Sequence, residues 1–309
     1  MPRNRDHLRD VHGILLLDKP SGRTSNQVLQ SVKRLFRAAK AGHTGSLDPL
    51  ATGMLPICFG AATRISSFLL GARKSYAVTA KLGTATDSGD AEGTITAQVD
   101  PPDLDTISVR KILEGFAGES EQVPPMHSAL KHQGRRLYEL ARQGVEVERP
   151  PRPVHIAAVE LLAYDHSELQ FTVTCSKGTY IRTLVEDIAE QMGTLGHVVA
   201  LRRTAVEPFQ EPDMVSIQSL KAREVEGLER LDDLLRPVDS PLSQWPRLVL
   251  QEELCGRLNH GQAVPARPDW PTGWVRLYSQ DDILFGLGEV GSAGQLVPRR
   301  IFPGLSSWN

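Results

Sequence analysis

The sequence predicts an α/β chain of the α+β kind in two parts, a large mixed domain followed by a small β-rich module. Three observations carry that expectation. Short apolar strand-like runs alternate with amphipathic helical stretches through most of the chain. A proline- and serine-rich segment, 237–246, interrupts the pattern. Beyond it, short strands separated by turns take over. The 309 residues exceed what one small core organises, and the expected division is 1–245 and 246–309.

Ile14 to Leu17 is an apolar run closed by Asp18-Lys19-Pro20-Ser21-Gly22, a buried strand entering a tight loop. Thr24 and Ser25 are cap residues, and Val28, Leu29, Val32, Leu35 and Phe36 recur at helical spacing. The opposite face of that helix is basic, with Lys33, Arg34, Arg37 and Lys40. Residues 42–53, GHTGSLDPLATG, hold three glycines and a proline directly after Asp48, so a structured loop is expected rather than a regular element. Strand character returns at 55–59 and a short helix at 61–70. In 74–82, Tyr76, Val78 and Ala80 alternate with Ala77 and Thr79, which marks a strand; 87–90 is a turn.

Val109, Ile112, Leu113 and Phe116 mark the next helix. Residues 124–152 read as a basic insertion, extended at first, then partly helical around Lys131, His132, Arg135, Arg136 and Arg142, and closed by a stiff proline connector. Two paired strands, 154–162 and 169–175, lead through Gly178-Thr179-Tyr180 into a helix at 181–192, with Ile181, Leu184, Val185 and Ile188 as its buried stripe. A strand at 198–204 carries Leu201, Arg202 and Arg203. Residues 216–235 read as an acidic, solvated helix. The C-terminal module is expected to be all-β, with strands at 274–278, 283–290 and 296–301.

Composition narrows the function classes. With 40% hydrophobic and 23% charged residues, the chain has the balance of a folded globular protein. A net charge of -2, from 35 basic against 37 acidic residues, excludes a uniformly basic nucleic-acid binder and leaves room for a local basic face. Cys58, Cys175 and Cys255 form no CxxC pair, which sets aside zinc-ribbon and disulfide-scaffold readings and suits a reducing cytoplasm. The nine histidines are scattered, and nucleotide-binding and metalloprotease patterns do not occur. The N-terminal MPRNRDHLRDVHG has no apolar stretch long enough for a signal peptide, and no run is long enough to span a bilayer.

Among the polar residues, Asp48 has the setting that most needs explaining. Between Ser46 and Pro49 it is either a turn former bonded to its own backbone or a carboxylate held out for chemistry. Arg182 opens a helix, either as a surface cation or as the partner of an anion. Tyr76, Tyr180 and Leu201 suit a core as well as a pocket wall. His43 suits a loop held by a backbone carbonyl as well as a ligand contact. The basic runs suit solvated faces as well as a phosphate-binding surface.

GHTGSLDPLATGMLP resembles the signature loop of the TruB-type pseudouridine synthases. Further motifs occur in that family's order: GILLLDKPSGRTSN upstream, then KSYAVTAKLGTATDSGDAEG, VPPMHSALKHQGRRLYELAR, CSKGTYIRTLVEDI and the LRRT stretch. Together they cover most of residues 12–205. The C-terminal module resembles, more loosely, the RNA-binding PUA domain.

The resemblance implies a mixed, largely antiparallel sheet, and an isomerase that converts uridine 55 in the T arm of transfer RNA to pseudouridine. That reaction is redox-neutral, so no metal or cofactor is expected. The family assigns the essential carboxylate to Asp48 and its guanidinium partner to Arg182. It implies that Tyr76 stacks on the target base, that Tyr180 and Leu201 wall the pocket, and that His43 holds the everted nucleotides. Phosphate contacts are expected from Lys19, Arg23, Lys33, Arg37, Lys131, His132, Arg135 and Arg136. A monomer working in the cytoplasm on transfer RNA, with no membrane partner, completes the expectation.

Three rivals follow from the same residues. A non-catalytic RNA-folding helper would not require Asp48, although folding help alongside catalysis fits an enzyme that everts a base. A guide-RNA-dependent synthase working inside a particle would suit a longer basic tail. A glycoside hydrolase would want two carboxylates across the bond, and only Asp48 has a motif around it.

Overall fold

The computed structural model describes residues 8–305, so the N-terminal reading above falls partly outside the described residues. In chain order the first elements are β1 (Gly13–Lys19), α1 (Ser25–Leu35), β2 (Ala41–His43), β3 (Thr52–Phe59), α2 (Ser66–Gly71) and β4 (Lys74–Leu82). A short hairpin, β5 (Thr84–Thr86) and β6 (Ile95–Gln98), precedes α3 (Thr106–Glu114) and β7 (Gly118–Gln122). The basic insertion holds a two-stranded ribbon, β8 (Lys131–His132) and β9 (Arg135–Arg136), and α4 (Leu137–Ala141). Then come β10 (Arg152–Asp165), β11 (Glu168–Cys175), α5 (Ile181–Gln191), β12 (Gly196–Val206), β13 (Val215–Ser216), α6 (Ile217–Glu226) and α7 (Leu228–Asp232).

The main sheet has nine strands among the described residues, in the order β13-β1-β3-β12-β4-β11-β10-β7 with β2 beside β3. Only β1–β13 and β3–β12 run parallel; the remaining pairs are antiparallel. The mixed, largely antiparallel sheet expected above is therefore present. Strand β1 explains its own unbroken apolar run. Leu15 and Leu17 pack towards α1 with Val28, Leu29 and Val32, while Ile14 and Leu16 pack on the other face with Leu284, Leu287 and Phe302 of the C-terminal part. A strand buried on both faces has no solvent side for polar residues.

Helix α1 starts at Thr24, whose hydroxyl accepts the Gln27 N–H while the Gln27 side chain accepts the Thr24 N–H. Helix α5 lays Leu184, Val185 and Ile188 on the sheet beside Val78, Ala80 and Phe171. The 216–235 stretch is not simply solvated: it breaks into α6 and α7, and Leu220 and Leu231 are fully buried against the α1 core. Ile217, Leu228, Leu234 and Leu235 pack beside them, so the apolar residues of an acidic segment dock it.

The C-terminal part holds β14 (Arg247–Leu250), α8 (Glu252–Asn259), β15 (Val264–Pro265), β16 (Gly273–Ser279), β17 (Leu284–Val290) and β18 (Gln295–Ile301). Its five strands form one sheet, but the module is not all-β. Glu252 and Glu253 sit in the first turn of α8, and Cys255 and Leu258 are buried in the module's core. The 237–246 segment is firmly packed. Asp239 accepts from Arg276 Nη1 at 2.9 Å and from the Tyr278 hydroxyl at 2.5 Å. Trp245 stacks on Trp274 at 5.1 Å, with the Phe68 ring edge-on to both.

Candidate active site

The loop between β2 and β3 carries Asp48 and is tied down from two sides. Lys19 Nζ donates to the carbonyls of Pro20 (3.0 Å), Pro49 (3.1 Å) and Ala51 (2.6 Å). The Gly22 N–H reaches the Pro49 carbonyl at 2.9 Å, and the Ser25 hydroxyl both donates to Leu47 O and accepts from Leu47 N–H. From the other side, Arg203 donates through Nε to Met54 O at 2.6 Å and through Nη2 to Gly45 O at 3.0 Å. The parallel register Arg203–Gly53 makes this possible. Gly53 has φ +95°, and a Cβ there would lie 2.3 Å from the Arg203 carbonyl oxygen, so only glycine allows the two strands to close.

Against this loop stands Arg182, in the first turn of α5, its side chain 6% exposed. Its Nε lies 3.1 Å from Asp48 Oδ2, Nη1 donates to Ser88 O at 2.8 Å, and Nη2 donates to His127 O at 2.6 Å. The buried Asp90 carboxylate is 3.5 Å from Nη1. Burial raises the Asp48 carboxyl above its ordinary pKa; Arg182 opposes the rise and Asp90 adds to it.

Two cavities meet at Asp48. The inner one, about 310 Å³, is lined by Tyr76, Tyr180, Leu201, Lys74 and Arg203; the outer cleft, about 790 Å³, by His43, the 87–94 turn, and Arg136, Tyr138 and Arg142 of the basic insertion. Burial raises the Tyr76 phenol, with Arg203 opposing. Burial likewise raises the Tyr180 phenol, opposed by neighbouring Ser128 and by Arg182. Tyr180 is fixed by Gln122, whose Oε1 accepts the Tyr180 N–H at 3.0 Å. Burial lowers the His43 imidazole, and its Nδ1 is enclosed without a hydrogen-bond partner.

All six residues singled out for catalysis and substrate contact thus converge: Asp48, Arg182, Tyr76, Tyr180, Leu201 and His43. The cations divide. Lys131, Arg135, Arg136 and Arg37 are exposed, and His132, Arg23 and Lys33 half-buried. Arg23 is committed locally, to Ser31 Oγ at 2.7 Å. Lys19 must be corrected: it is fully buried, burial holds its pKa at about 8, and its three hydrogen bonds are spent on carbonyls, so no phosphate reaches it. Asp90, Arg203, Lys74 and Gln122 were not anticipated as site residues. Asp90 lies within a quoted motif, TDSGDAEG, but an aspartate in a Ser-Gly turn looks like a turn former until its arginine is found.

A buried arginine holding one loop carboxylate at the mouth of an aromatic-walled pocket is the arrangement the resemblance implied, and the comparisons place the chain in the class of pseudouridylate synthases. Residues 33–181 match the TruB family pseudouridylate synthase N-terminal domain, 182–243 the tRNA pseudouridylate synthase B C-terminal domain, and 246–302 the pseudouridine synthase II TruB C-terminal domain. The chain belongs to the TruB family. It is 50% identical to the tRNA pseudouridine synthase B of Nitrosococcus oceani, over 95% of each chain. Against the protein of the same name from Sodalis glossinidius it is 49% identical, over 95% of this chain and 96% of that one. Among solved structures, a chain of a Cbf5-Nop10-Gar1 complex superposes with a TM-score of 0.71 at 26% identity, covering 94% of this chain and 85% of that one. One from an H/ACA RNP bound to a substrate RNA containing 2′-deoxyuridine superposes with a TM-score of 0.71 at 22% identity, covering 98% and 93%, a likeness of fold.

Proposed function

We propose that this enzyme isomerises uridine 55 in the T loop of transfer RNA to pseudouridine, with Asp48 as the essential carboxylate. The observation that carries the reading is the Asp48–Arg182 pair at the junction of pocket and cleft. The substrate is supported by the name shared by relatives near 50% identity.

The target base is stacked inside a folded RNA and must be everted, at a cost of a few kcal/mol. Its uracil enters the inner pocket against Tyr76 and Leu201, and its ribose stays at the cleft. Ionised Asp48 acts as nucleophile or base. Arg182 counters the burial that would protonate it. The N1–C1′ bond breaks, the uracil turns, and C5 bonds to C1′. The C5 proton leaves and N1 gains one, so no oxidant, reductant or cofactor enters the balance. Arg136 and Arg142, on the cleft wall, meet the phosphates of the flanking nucleotides. The enzyme works in the cytoplasm as a monomer, and a folding-helper role accompanies catalysis because eversion opens the RNA's tertiary contacts.

The test is incubation of the purified chain with a bare T-arm stem-loop, reading pseudouridine at the expected loop position. Product is expected from the parent and none from Asp48→Asn; product from Asp48→Asn overturns the reading. Refolding of RNA by Asp48→Asn would separate the helper role from catalysis.

A further inference from the structure

Strand β12 lies between β3 and β4 in the main sheet. Its register places Arg203 beside Gly53 on one side and directly opposite Tyr76 on the other. Residues that face each other across antiparallel strands point to the same side of the sheet, close enough for their side chains to meet. Arg203 is 1% exposed and backs the inner pocket together with Tyr76. Its Nε and Nη2 are spent on the carbonyls of Met54 and Gly45, one on each flank of Asp48. The same side chain hydrogen-bonds the Tyr76 phenol. One guanidinium thus joins both ends of the Asp48 loop to the aromatic wall of the pocket. These partners are two carbonyls and a phenol, and none is a carboxylate. A buried charge held by neutral groups costs stability, so packing alone does not account for a cation at this position.

We infer that Arg203 is a positioning residue for the isomerisation: it holds the Tyr76 ring at a fixed separation from the Asp48 carboxylate while the uracil turns between them. The inference rests on the function proposed above. The detached uracil has to bring C5 to where N1 was, with C1′ still beside Asp48. During that turn no covalent bond ties the base to the RNA, and the pocket walls alone keep it in reach. A wall displaced against the carboxylate by about 1 Å loses the alignment the new bond needs. Arg203 is too enclosed to act on the base itself and works through its two neighbours, the phenol and the loop.

Single-turnover rates on a T-arm stem-loop test this in the parent, Arg203→Lys, Tyr76→Phe and the double variant. Lysine keeps the charge but ends in one nitrogen and cannot hold two loop carbonyls and the phenol together. Phenylalanine keeps the ring and drops the hydroxyl. Each single change is expected to slow the reaction about tenfold, the worth of one hydrogen bond to a charged group. Because both changes cut one link, the double variant is expected to be about fivefold or more faster than the product of the two losses. The dissociation constant of the RNA, measured in the Asp48→Asn background, is expected to change by no more than about twofold with Arg203→Lys. Losses that multiply, or an unchanged rate in either single variant, overturn the inference. A dissociation constant that weakens in step with the rate also overturns it, by placing Arg203 on the RNA. Should Arg203→Lys fail to fold, Arg203→Gln takes its place in the cycle. Absence of pseudouridine from the parent enzyme is a separate result that sinks the underlying reading.

Discussion

Replacing Arg182 with lysine keeps the charge and removes the fork. The guanidinium spans Asp48 Oδ2, Ser88 O and His127 O at 3.1, 2.8 and 2.6 Å from three different nitrogens. A lysine ends in one nitrogen and cannot span three loops. If it keeps Asp48, the Ser88 and His127 carbonyls lose their donor. Hydrogen bonds to a charged group contribute about 1.5–3 kcal/mol each, so losing two costs about 3 kcal/mol at the lower bound. Because Ser88 and His127 lie in the loops that frame the cleft, the loss divides between fold and turnover. Turnover of T-arm RNA, followed by tritium release from C5-labelled uridine under single-turnover conditions, should fall by about tenfold, and the unfolding temperature by about 3–6 °C. Turnover within threefold of the parent, at an unchanged unfolding temperature, would show that charge alone suffices and refute the argument.

The acid limb of the pH–rate profile should lie above the ordinary aspartate value of about 4, because burial raises Asp48. Asp90→Asn should move that limb down and Arg182→Met move it up, which opposite-signed shifts in rate measurements would show. Since the folded-state pKa is raised, ionised Asp48 costs stability above that pKa and costs nothing below the unfolded one. Asp48→Asn should therefore unfold at a higher temperature than the parent near pH 7, with the gain shrinking as pH falls through the carboxylate range. Charge reversal at Arg135 and Arg136 should weaken RNA binding and lower the slope of log K against log salt by about 0.7–0.9 for each phosphate no longer neutralised, and an unchanged slope would remove them from the interface. Trp245→Ala should open the packed seam around Trp274 and Phe68, costing about 2–4 kcal/mol and splitting one calorimetric transition into two.

The sequence by itself determined the local pieces. Strand β1, the capped start of α1, the irregular loop around Asp48 and the buried stripe of α5 are each written in spacing and cap chemistry within a dozen residues. The ordered motifs also singled out Asp48, Arg182, Tyr76, Tyr180 and Leu201, which the structure brings together around one pocket. Only the tertiary structure decided what Lys19, Asp90 and Arg203 do. Lys19 is indistinguishable in sequence from a phosphate-binding lysine. It becomes a loop pin because two of its three acceptors, on Pro49 and Ala51, come from about thirty residues away. Arg203 reaches the Asp48 loop only through the parallel pairing of β12 with β3, some 150 residues apart. Helix α8 and the docking of α6 and α7 were likewise settled by which apolar side chains found a core. A cation's role depends on how many acceptors surround it and how much water is left, and both are properties of distant segments brought together, which no local pattern records.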